Sequence, residues 1–376
     1  MKIKFTDLYK ANMFKAKNIH KRIIGGISNL IKNNSFVGGK EVLNFENSFA
    51  KFTSSKYCIG LGNGTDALEI AIESLNLKKG SEVIVPVNTW ISTAEAVSRS
   101  GLKVVFCDVS LADYTIDIDD LKKKISSKTT AIMVVHLYGY PADMQSIKKI
   151  IKRKKNKIKI IEDCAQAHGS KIENRHVGTF GDIGTFSFFP GKNLGAYGDG
   201  GGIVTNNIDL KKKCELIRNH GALGKYDHKF PGRNSRLDNI QAYILNTKLI
   251  YYTKKVQRRN ELAKIYLKNL KKTRGIILPI LNFNKNYNTF HQFVIRLELR
   301  DKLQKYLKKN GVDTMIHYPY MLNELDFYKK NNGSNNLKNS KKLGNKILSL
   351  PITEDHTNKE IIYICKKINE FSKLHF

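Results

Sequence analysis

The chain has 376 residues, of which 41% are hydrophobic and 10% aromatic. This composition supplies enough apolar material for a substantial core, so it excludes a largely disordered chain, a collagen-like chain and a low-complexity fibre. No stretch approaches the roughly 20 uninterrupted apolar residues that a membrane helix needs. The chain begins MKIKFTD, without the apolar segment of a signal peptide. We therefore expect a soluble, cytoplasmic protein with no membrane partner.

The charge is strongly positive, because 65 Lys and Arg residues stand against 33 Asp and Glu residues, for a formal net charge of +32. Such a charge favours anionic partners, such as nucleic acid, lipid headgroups or phosphorylated metabolites. The lysines, however, are scattered along the chain, and the densest runs, at residues 152–155 and 211–213, lie on predicted surface helices without interleaved aromatic residues. We attribute most of the charge to compositional drift and expect no nucleic-acid partner, while a phosphorylated ligand stays open.

The cysteines form no CxxC pair and are odd in number: Cys58, Cys107, Cys164, Cys214 and Cys365. Three of them lie in or at the end of apolar, strand-like runs. This pattern is typical of buried, reduced thiols in a reducing compartment. We expect no zinc or other metal site.

From about residue 56, short apolar runs alternate with amphipathic stretches. The runs predict strands at residues 57–61, 82–86, 104–108, 131–137 and 158–163. The stretches between them predict helices at residues 66–75, 89–100, 118–125 and 144–151. Because strands that are apolar on both faces and separated by helices form parallel sheets, we predict an α/β fold with a mostly parallel sheet. Runs at residues 185–189 and 202–205 complete it.

The C-terminal part has a different pattern of predicted helices and strands. A long helix is predicted from about Leu237 to Leu270. It is followed by a strand at residues 290–297, a helix at 301–310, a strand at 312–317 and two helical segments. We therefore predict a large domain at residues 1–250 and a smaller α+β domain at residues 251–376, packed tightly together. Residues 1–35 are predicted to be helical and to lie on the small domain or at an interface.

The first motif with chemistry is GNGTDAL, at residues 62–68, between a predicted strand and a predicted helix. Glycines let the backbone approach an anion, and the helix start offers free N–H groups and the positive end of its dipole. Thr65 adds a hydroxyl. The motif is compatible with phosphate binding or with an ordinary glycine turn and helix cap.

The second motif is EDCAQAHG, at residues 162–169. Asp163 stands at the end of an apolar strand, where ligand sites of α/β sheets gather. A poorly solvated carboxylate there needs a cation or a proton donor. A protonated pyridine nitrogen fits, although an Asp that caps a loop explains the position equally.

The third motif, SFFPGKNLGAYGDGGG, spans residues 187–202 and places Lys192 in a glycine-rich, aromatic-lined turn. A partly desolvated lysine loses its proton more readily and becomes a nucleophile suited to a Schiff base. Together with Asp163, this lysine indicates pyridoxal 5'-phosphate (PLP) as cofactor.

These motifs occur in the order found in the sugar-nucleotide aminotransferases of the DegT/StrS type, which the chain resembles from FVGG at residues 36–39 to LSLP at 348–351. NSRLD at residues 234–238 and IHYP at 316–319 belong to the same resemblance. It implies PLP fold type I, as in aspartate aminotransferase, with a large sheet of the seven-stranded type and a smaller C-terminal domain.

The resemblance also implies roles for individual residues. Lys192 would bind PLP covalently and move the proton, and Asp163 would pair with the pyridinium nitrogen. Gln166 would bond the ring hydroxyl, and Trp90 would stack on the ring, although a core position at a helix start is its alternative. The phosphate would be held by Gly64, Thr65 and Ser187.

Asn234 would complete the phosphate site of a neighbouring subunit, so the resemblance implies a homodimer with shared active sites. Arg236 belongs to the same loop, but its motif also suits the start of the long helix. His317 and Tyr318 would line the sugar-nucleotide pocket, although a histidine at a strand end is as often structural. His168 suits either the pocket or the ordering of a loop.

The implied reaction moves an amino group from L-glutamate to a nucleotide-linked keto sugar. The stretch around Lys192 is most similar to members that aminate C3 of dTDP-3-keto-6-deoxyhexoses, which feed lipopolysaccharide or other glycans. The alternative is amination at C4. A related branch that removes a 3-hydroxyl has His in place of Lys192. A desulfurase would need a cysteine in a mobile loop, and a non-catalytic regulator with this fold is a remoter alternative.

Overall fold

The structure is a computed structural model that describes residues 1–13, 18–154, 157–332 and 337–376. Its helices are α1 Leu8–Met13, α2 Ile19–Lys32, α3 Lys40–Thr53, α4 Gly64–Ser74, α5 Ser92–Arg99, α6 Ile118–Lys124, α7 Met144–Lys152, α8 Ile208–Arg218, α9 Asn239–Leu270, α10 Arg300–Lys309, α11 Asp326–Asn332, α12 Lys338–Leu343 and α13 Asn358–His375. Short 3-10 helices occur at Leu137–Gly139, Leu322–Glu324 and Gly344–Lys346. Lys155, predicted on a surface helix, lies outside the described residues, as do residues 14–17 of the helical N-terminal segment.

The strands are β1 Tyr57–Leu61, β2 Glu82–Pro86, β3 Lys103–Cys107, β4 Thr129–Val135, β5 Lys159–Asp163, β6 Lys171–Ile172, β7 Arg175–His176, β8 Ile183–Ser187, β9 Gly201–Thr205, β10 Ala222–Gly224, β11 Asp227–His228, β12 Asn286–Tyr287, β13 Phe293–Arg296 and β14 Ile347–Leu350. Seven of them form one sheet in the order β1-β9-β8-β5-β4-β2-β3. The pairs among β3, β2, β4, β5 and β8 are parallel, and β9 runs antiparallel to both its neighbours. The predicted mostly parallel, seven-stranded sheet is thus confirmed.

The strands of this sheet form where the chain is apolar on both faces. Residues Ile160 to Asp163 of β5 and all five residues of β9 are buried. Four of the helices have an N-cap residue whose side chain accepts a backbone N–H of the first turn. These residues are Asn63 for α4, Asp117 for α6, Asp143 for α7 and Asn207 for α8. Such caps satisfy donors that a helix start leaves free. Strand burial and helix caps together explain the alternation.

Helix α9 is the long helix predicted from about Leu237. It packs against α2 and α3 near its start and against the C-terminal helix α13. The predicted domain boundary at residues 250–251 falls inside this helix, and the division into 1–250 and 251–376 stays a prediction. In the C-terminal part, β13 and β14 form an antiparallel pair beside α10 and α13.

Several local predictions were wrong. The strand predicted at residues 185–189 is Ile183–Ser187, and the strand predicted at 290–297 is only Phe293–Arg296. Residues 312–317 form single bridges, Val312 to Ile3 and Met315 to Ser349, rather than a strand, because the segment does not stay beside one partner. Strand β4 ends at Val135, and Leu137 begins a 3-10 helix. Helix α5 begins at Ser92 rather than Thr89, which leaves Trp90 in a loop.

The cysteines are all buried and unbridged, as predicted. Among the described residues, no helix is both long and apolar enough to cross a membrane.

Candidate active site

The centre of the candidate site is Asp163, the last residue of β5, between β4 and β8 at the carboxyl edge of the sheet. Its side chain is 5% exposed. One carboxylate oxygen accepts from the Thr93 hydroxyl at 2.8 Å and the other from the backbone N–H of Ala165 at 3.1 Å. These neutral donors fix the carboxylate without neutralising its charge, so it stays available to a cationic partner.

Lys192 follows β8 in a loop at residues 188–200, at the same edge of the sheet. Burial lowers the pKa of its amine, and the negative charge of nearby Asp163 opposes that shift. The loop is closed by two backbone hydrogen bonds, Lys192 N to Phe189 O at 2.8 Å and Ala196 N to Phe188 O at 2.7 Å. Within the loop, Asn193 donates to Thr289 O at 3.0 Å. The structure therefore brings Lys192 and Asp163 together, with a desolvated amine in a fixed loop.

The predicted phosphate ligands also meet. Gly64 begins α4, and a Cβ atom there would lie 2.6 Å from the Cβ of Ser187 at the end of β8. Only a glycine leaves room for these two backbones to stand side by side. The Thr65 and Ser92 hydroxyls lie 2.8 Å apart, and Ser92 begins α5. The site thus has two helix starts and three hydroxyls, of which the sequence predicted Thr65 and Ser187 but missed Ser92.

A second group of predicted residues forms the opposite side. Gln166 is buried, accepts the backbone N–H of Tyr138 at 2.7 Å and donates to the Tyr318 hydroxyl at 2.9 Å. Burial raises the pKa of Tyr318. The Trp90 ring is 5.6 Å from the Tyr318 ring, and 57% of Trp90 is exposed. The predicted stacking residue and the predicted ring-hydroxyl ligand therefore both contact Tyr318, one of the predicted sugar-pocket residues.

Three histidines stand around Lys192. Burial and the positive charge of Lys192 lower the pKa of His168 to about 3 and that of His317 to about 4, and they lower the pKa of His291 as well. His168 donates through Nε2 to Ser187 O at 2.9 Å, so it contacts the end of β8, directly before the loop. The Nδ1 atom of His317 lies 2.9 Å from the Ser349 hydroxyl. These rings are therefore neutral at neutral pH and can donate or accept hydrogen bonds without adding positive charge beside Lys192.

Asn234 is placed differently from the other predicted ligands. It is exposed, and its backbone bridges to Asn219. The loop is fastened to its own chain by Ser235, whose hydroxyl accepts from Gly62 N at 3.2 Å, and by Arg233, which pairs with Glu69 and Glu73 of α4. Within the described residues, the Asn234 side chain makes no hydrogen bond. Arg236 is exposed and bonds Asn219 at 3.3 Å.

One buried group has the composition of a metal site, namely His136, Glu162 and Cys164. The His136 ring and the Glu162 carboxylate already have hydrogen-bond partners. His136 Nδ1 accepts from Ala142 N at 3.0 Å, which leaves Nε2 to donate to Glu162 at 3.0 Å. The same carboxylate accepts from the N–H groups of Gly178 and Gly181 at 2.7 and 2.6 Å. The cluster therefore has the geometry of a hydrogen-bond network that orders the end of β5.

The sequence missed Thr93, Tyr138, Asn193 and His291, which support the predicted ligands. Thr93 lies in the segment NTWIST after β2, and its position after a sheet strand was a usable signal. His291 meets Asn193 across 98 residues of sequence, with 2.9 Å between ring nitrogen and amide oxygen. No local pattern indicates that contact.

These residues fit PLP. The glycine cradle at Gly64 with its helix start suits the phosphate, and the buried Asp163 carboxylate suits the pyridinium nitrogen. The exposed face of Trp90 offers an aromatic surface for the ring. Lys192 supplies the amine. Each feature is a separate requirement of the cofactor, and all four occur at one edge of the sheet.

Comparison with known proteins gives a consistent result. The sequence profile of the DegT/DnrJ/EryC1/StrS aminotransferase family matches residues 17–369. A relative from Aneurinibacillus thermoaerophilus, dTDP-3-amino-3,6-dideoxy-alpha-D-galactopyranose transaminase, is 40% identical over 98% of this chain and 99% of its own. The UDP-N-acetyl-3-dehydro-alpha-D-glucosamine 3-aminotransferase of Acidithiobacillus ferrooxidans is 37% identical over 92% of both chains.

Solved structures agree. DesV of S. venezuelae, solved in complex with a ketimine intermediate, superposes with a TM-score of 0.93 over 99% of both chains at 33% identity. NtdA of Bacillus subtilis, solved with its cofactor PMP, gives a TM-score of 0.89 at 28% identity, over 98% of this chain and 85% of NtdA.

Proposed function

Because the chain belongs to the DegT/DnrJ/EryC1/StrS aminotransferase family and is a PLP-dependent sugar aminotransferase of fold type I, we propose that it moves the amino group of L-glutamate to C3 of a dTDP-3-keto-6-deoxyhexose. The observation that carries the chemistry is the partly buried Lys192 near the buried Asp163, beside the Gly64–Ser187 cradle. The choice of C3 is supported by the sequence around Lys192 and by the name of the Aneurinibacillus relative.

In this proposal Lys192 binds the cofactor and carries the proton. PLP, when bound, supplies an electron sink for the carbon that loses that proton. Because burial lowers the pKa of Lys192, more of its amine is unprotonated near neutral pH than in an exposed lysine. Asp163 keeps the ring nitrogen protonated, since a buried carboxylate with only neutral donors favours a cation beside it.

The other residues would hold and orient the cofactor and the sugar nucleotide. Gly64, Thr65 and Ser187 would receive the phosphate, with Ser92 holding the Thr65 hydroxyl. Gln166 would donate to the ring hydroxyl, and its bond to Tyr318 ties the cofactor side of the cleft to the sugar side. Trp90 would cover the ring face. His317 and Tyr318 would line the sugar-nucleotide pocket, where their neutral side chains can form hydrogen bonds with the sugar hydroxyls.

We further propose a homodimer in which Asn234 completes the partner's phosphate site. Asn234 is exposed on a loop fixed by Arg233. A groove of about 750 Å³ beside this loop is lined by Val37, Leu43 and Leu223, all of them more than half exposed. Exposed apolar side chains around a groove favour a protein partner, and a second copy of the chain would cover them.

The enzyme would act in the cytoplasm, where unbridged cysteines persist, and would supply an amino sugar for lipopolysaccharide or another glycan. The test is to incubate the purified enzyme with L-glutamate and, separately, a dTDP-3-keto- and a dTDP-4-keto-6-deoxyhexose. NMR of the product locates the new amine. Amination at C3 is expected. Faster amination of the 4-keto sugar would instead support the C4 alternative, and no product from either sugar would contradict this substrate class.

A further inference from the structure

Helix α9 contacts the loop that carries Lys192 through a buried lysine. The amine of Lys248 donates to the carbonyl oxygen of Gly195 at 2.6 Å and stands 4.0 Å from the centre of the Tyr197 ring. The residue is only 3% exposed. A buried amine is costly unless it is hydrogen-bonded, so this contact is a specific structural feature rather than incidental surface packing.

A second side chain of the same helix holds the next part of the loop. Gln241 accepts the backbone N–H of Tyr197 at 2.8 Å through its side-chain oxygen. A Cβ atom on Gly198 would lie 3.0 Å from the Gln241 amide nitrogen, so the loop backbone at Gly198 and the Gln241 side chain are in close contact. Gln241 and Lys248 are seven residues apart, about two helical turns, and therefore share one face of α9.

The carbonyl that Lys248 binds is at the closing point of the loop. A Cβ atom on Gly195 would lie 2.4 Å from the carbonyl oxygen of Pro190, so the two ends of the turn touch there. The next residue, Ala196, closes the loop by its bond to Phe188. Lys192 lies between these contacts. A shift at Gly195 would thus be transmitted to Lys192 through only two intervening residues.

The surrounding charges do not explain the position of Lys248. Burial and the positive charge of Lys255 lower the pKa of Lys248 to about 7. Glu354, the nearby carboxylate, already pairs with Lys255 at 3.3 Å and with Arg259 at 2.8 Å. Charged or neutral, the amine keeps an N–H for the Gly195 carbonyl. The hydrogen bond is therefore the principal polar contact of Lys248 with the described residues.

We propose that Lys248, assisted by Gln241, is a positioning residue that fixes the Lys192 loop and so sets the approach of the Lys192 amine to PLP. This inference rests on the proposed role of Lys192. It assigns to α9 a function in the active site although neither side chain is required to touch cofactor or substrate. The function depends on the geometry of the loop, because Lys248 and Gln241 contact the loop through its backbone at Gly195 and Tyr197.

The test compares Lys248→Met with Lys255→Met. Lys255 is also buried on α9, but it donates to Ala11 and pairs with Glu354, away from the loop. For Lys248→Met we expect PLP to bind about tenfold more weakly, because the Lys192 loop loses its buried hydrogen bond to α9 and must be ordered when PLP binds. We also expect a shifted pH titration of the visible absorbance of the PLP-loaded enzyme. Lys255→Met should lower the melting temperature but leave PLP affinity and the titration at wild-type values.

If Lys248→Met keeps wild-type PLP affinity and the wild-type titration, or if Lys255→Met shifts both as much, the inference is wrong. Should Lys248→Met fail to fold, Gln241→Leu takes its place. We then expect the changes in PLP affinity and in the titration to be about a third as large. If Gln241→Leu changes neither, the inference is wrong. Borohydride reduction of the wild type, followed by mass spectrometry, separates the two claims. A label on a lysine other than Lys192 refutes the site assignment itself, whereas a label on Lys192 leaves the mutant comparison to decide.

Discussion

The carboxyl edge of the large sheet and the loop at residues 231–236 contribute to the proposed site in opposite ways. At the sheet edge, Asp163 is almost fully buried and held by Thr93 and Ala165 of the same chain. On the loop, the backbone is fastened through Arg233 and Ser235, but the Asn234 side chain is exposed. The Asp163 carboxylate thus has its partners within one chain, whereas the Asn234 side chain has no hydrogen-bond partner among the described residues.

In the proposed function, the sheet edge supplies the groups that react, and the loop supplies a group that depends on dimer formation. Groups that handle charge and protons need a fixed, dry setting, because electrostatic interactions are strongest where water is excluded. At the edge of its own sheet, one chain provides a fixed and buried carboxylate, that of Asp163. A group that adds one hydrogen bond to a phosphate can come from a second copy, and its contribution then depends on dimer formation. Substitutions at the sheet edge should therefore cost more activity than substitutions on the loop.

The largest effect is expected for Lys192→Ala. Turnover should be abolished, because among the described residues no other amine stands beside Asp163 in the site. Steady-state assay with L-glutamate and the keto sugar measures this. Lys79→Ala, which removes an exposed lysine, is the control and should be fully active. Measurable turnover by Lys192→Ala would remove Lys192 from the proposed chemistry.

Asp163→Asn should reduce kcat by about 10²–10⁴, a usual range for the loss of electrostatic stabilisation at a reacting centre. The amide keeps the shape of the side chain but loses the charge that favours a protonated ring nitrogen. Thr93→Val, which removes neutral hydrogen bonds to Asp163 and Thr89 but no charge, should lose far less. Equal losses in the two variants would mean that position rather than charge matters at residue 163.

Gly64→Ala should weaken PLP binding by about tenfold or more. The added Cβ would lie 2.6 Å from Ser187 Cβ, so the start of α4 must move away from β8 and disturb the phosphate cradle. Gly25→Ala is the matched control, since nothing lies within 4 Å of its Cβ and the residue is inside helix α2. It should leave PLP affinity unchanged and stabilise the fold slightly. Unchanged PLP affinity in Gly64→Ala would show that the cradle does not hold the phosphate.

Much of the sheet edge could be predicted from the sequence, because its residues follow apolar strands and strand ends meet at one edge. Asp163, Ser187 and Lys192 carry that local signal. Their supports do not, since Thr93 and Asp163 are 70 residues apart and their contact depends on the packing of the whole sheet.

The errors have a similar origin. Residues 312–317 contain apolar side chains in a strand-like pattern, yet they form only isolated bridges, because a strand also needs a neighbour along its length. The helix α9 was predicted from its length, but its face at Gln241 and Lys248 could not be paired with the Lys192 loop without the fold.

The central claim, that one chain completes the sheet edge while Asn234 serves the other chain's site, is tested most directly by mixing two defective subunits. Lys192→Ala and Asn234→Ala chains would be co-expressed and the mixed dimers isolated. Asn234→Ala alone should be impaired by about tenfold at limiting PLP, because it loses one hydrogen bond to a charged phosphate. The mixed dimer contains one site with both defects and one site with an intact Lys192 and the partner's intact Asn234.

We expect the mixed dimer to regain close to half of the wild-type activity per dimer at limiting PLP, well above the sum of the two mutant homodimers. Activity no greater than that sum, in a preparation shown by mass spectrometry to contain mixed dimers, would contradict the claim and place Asn234 within its own chain's site or outside any site.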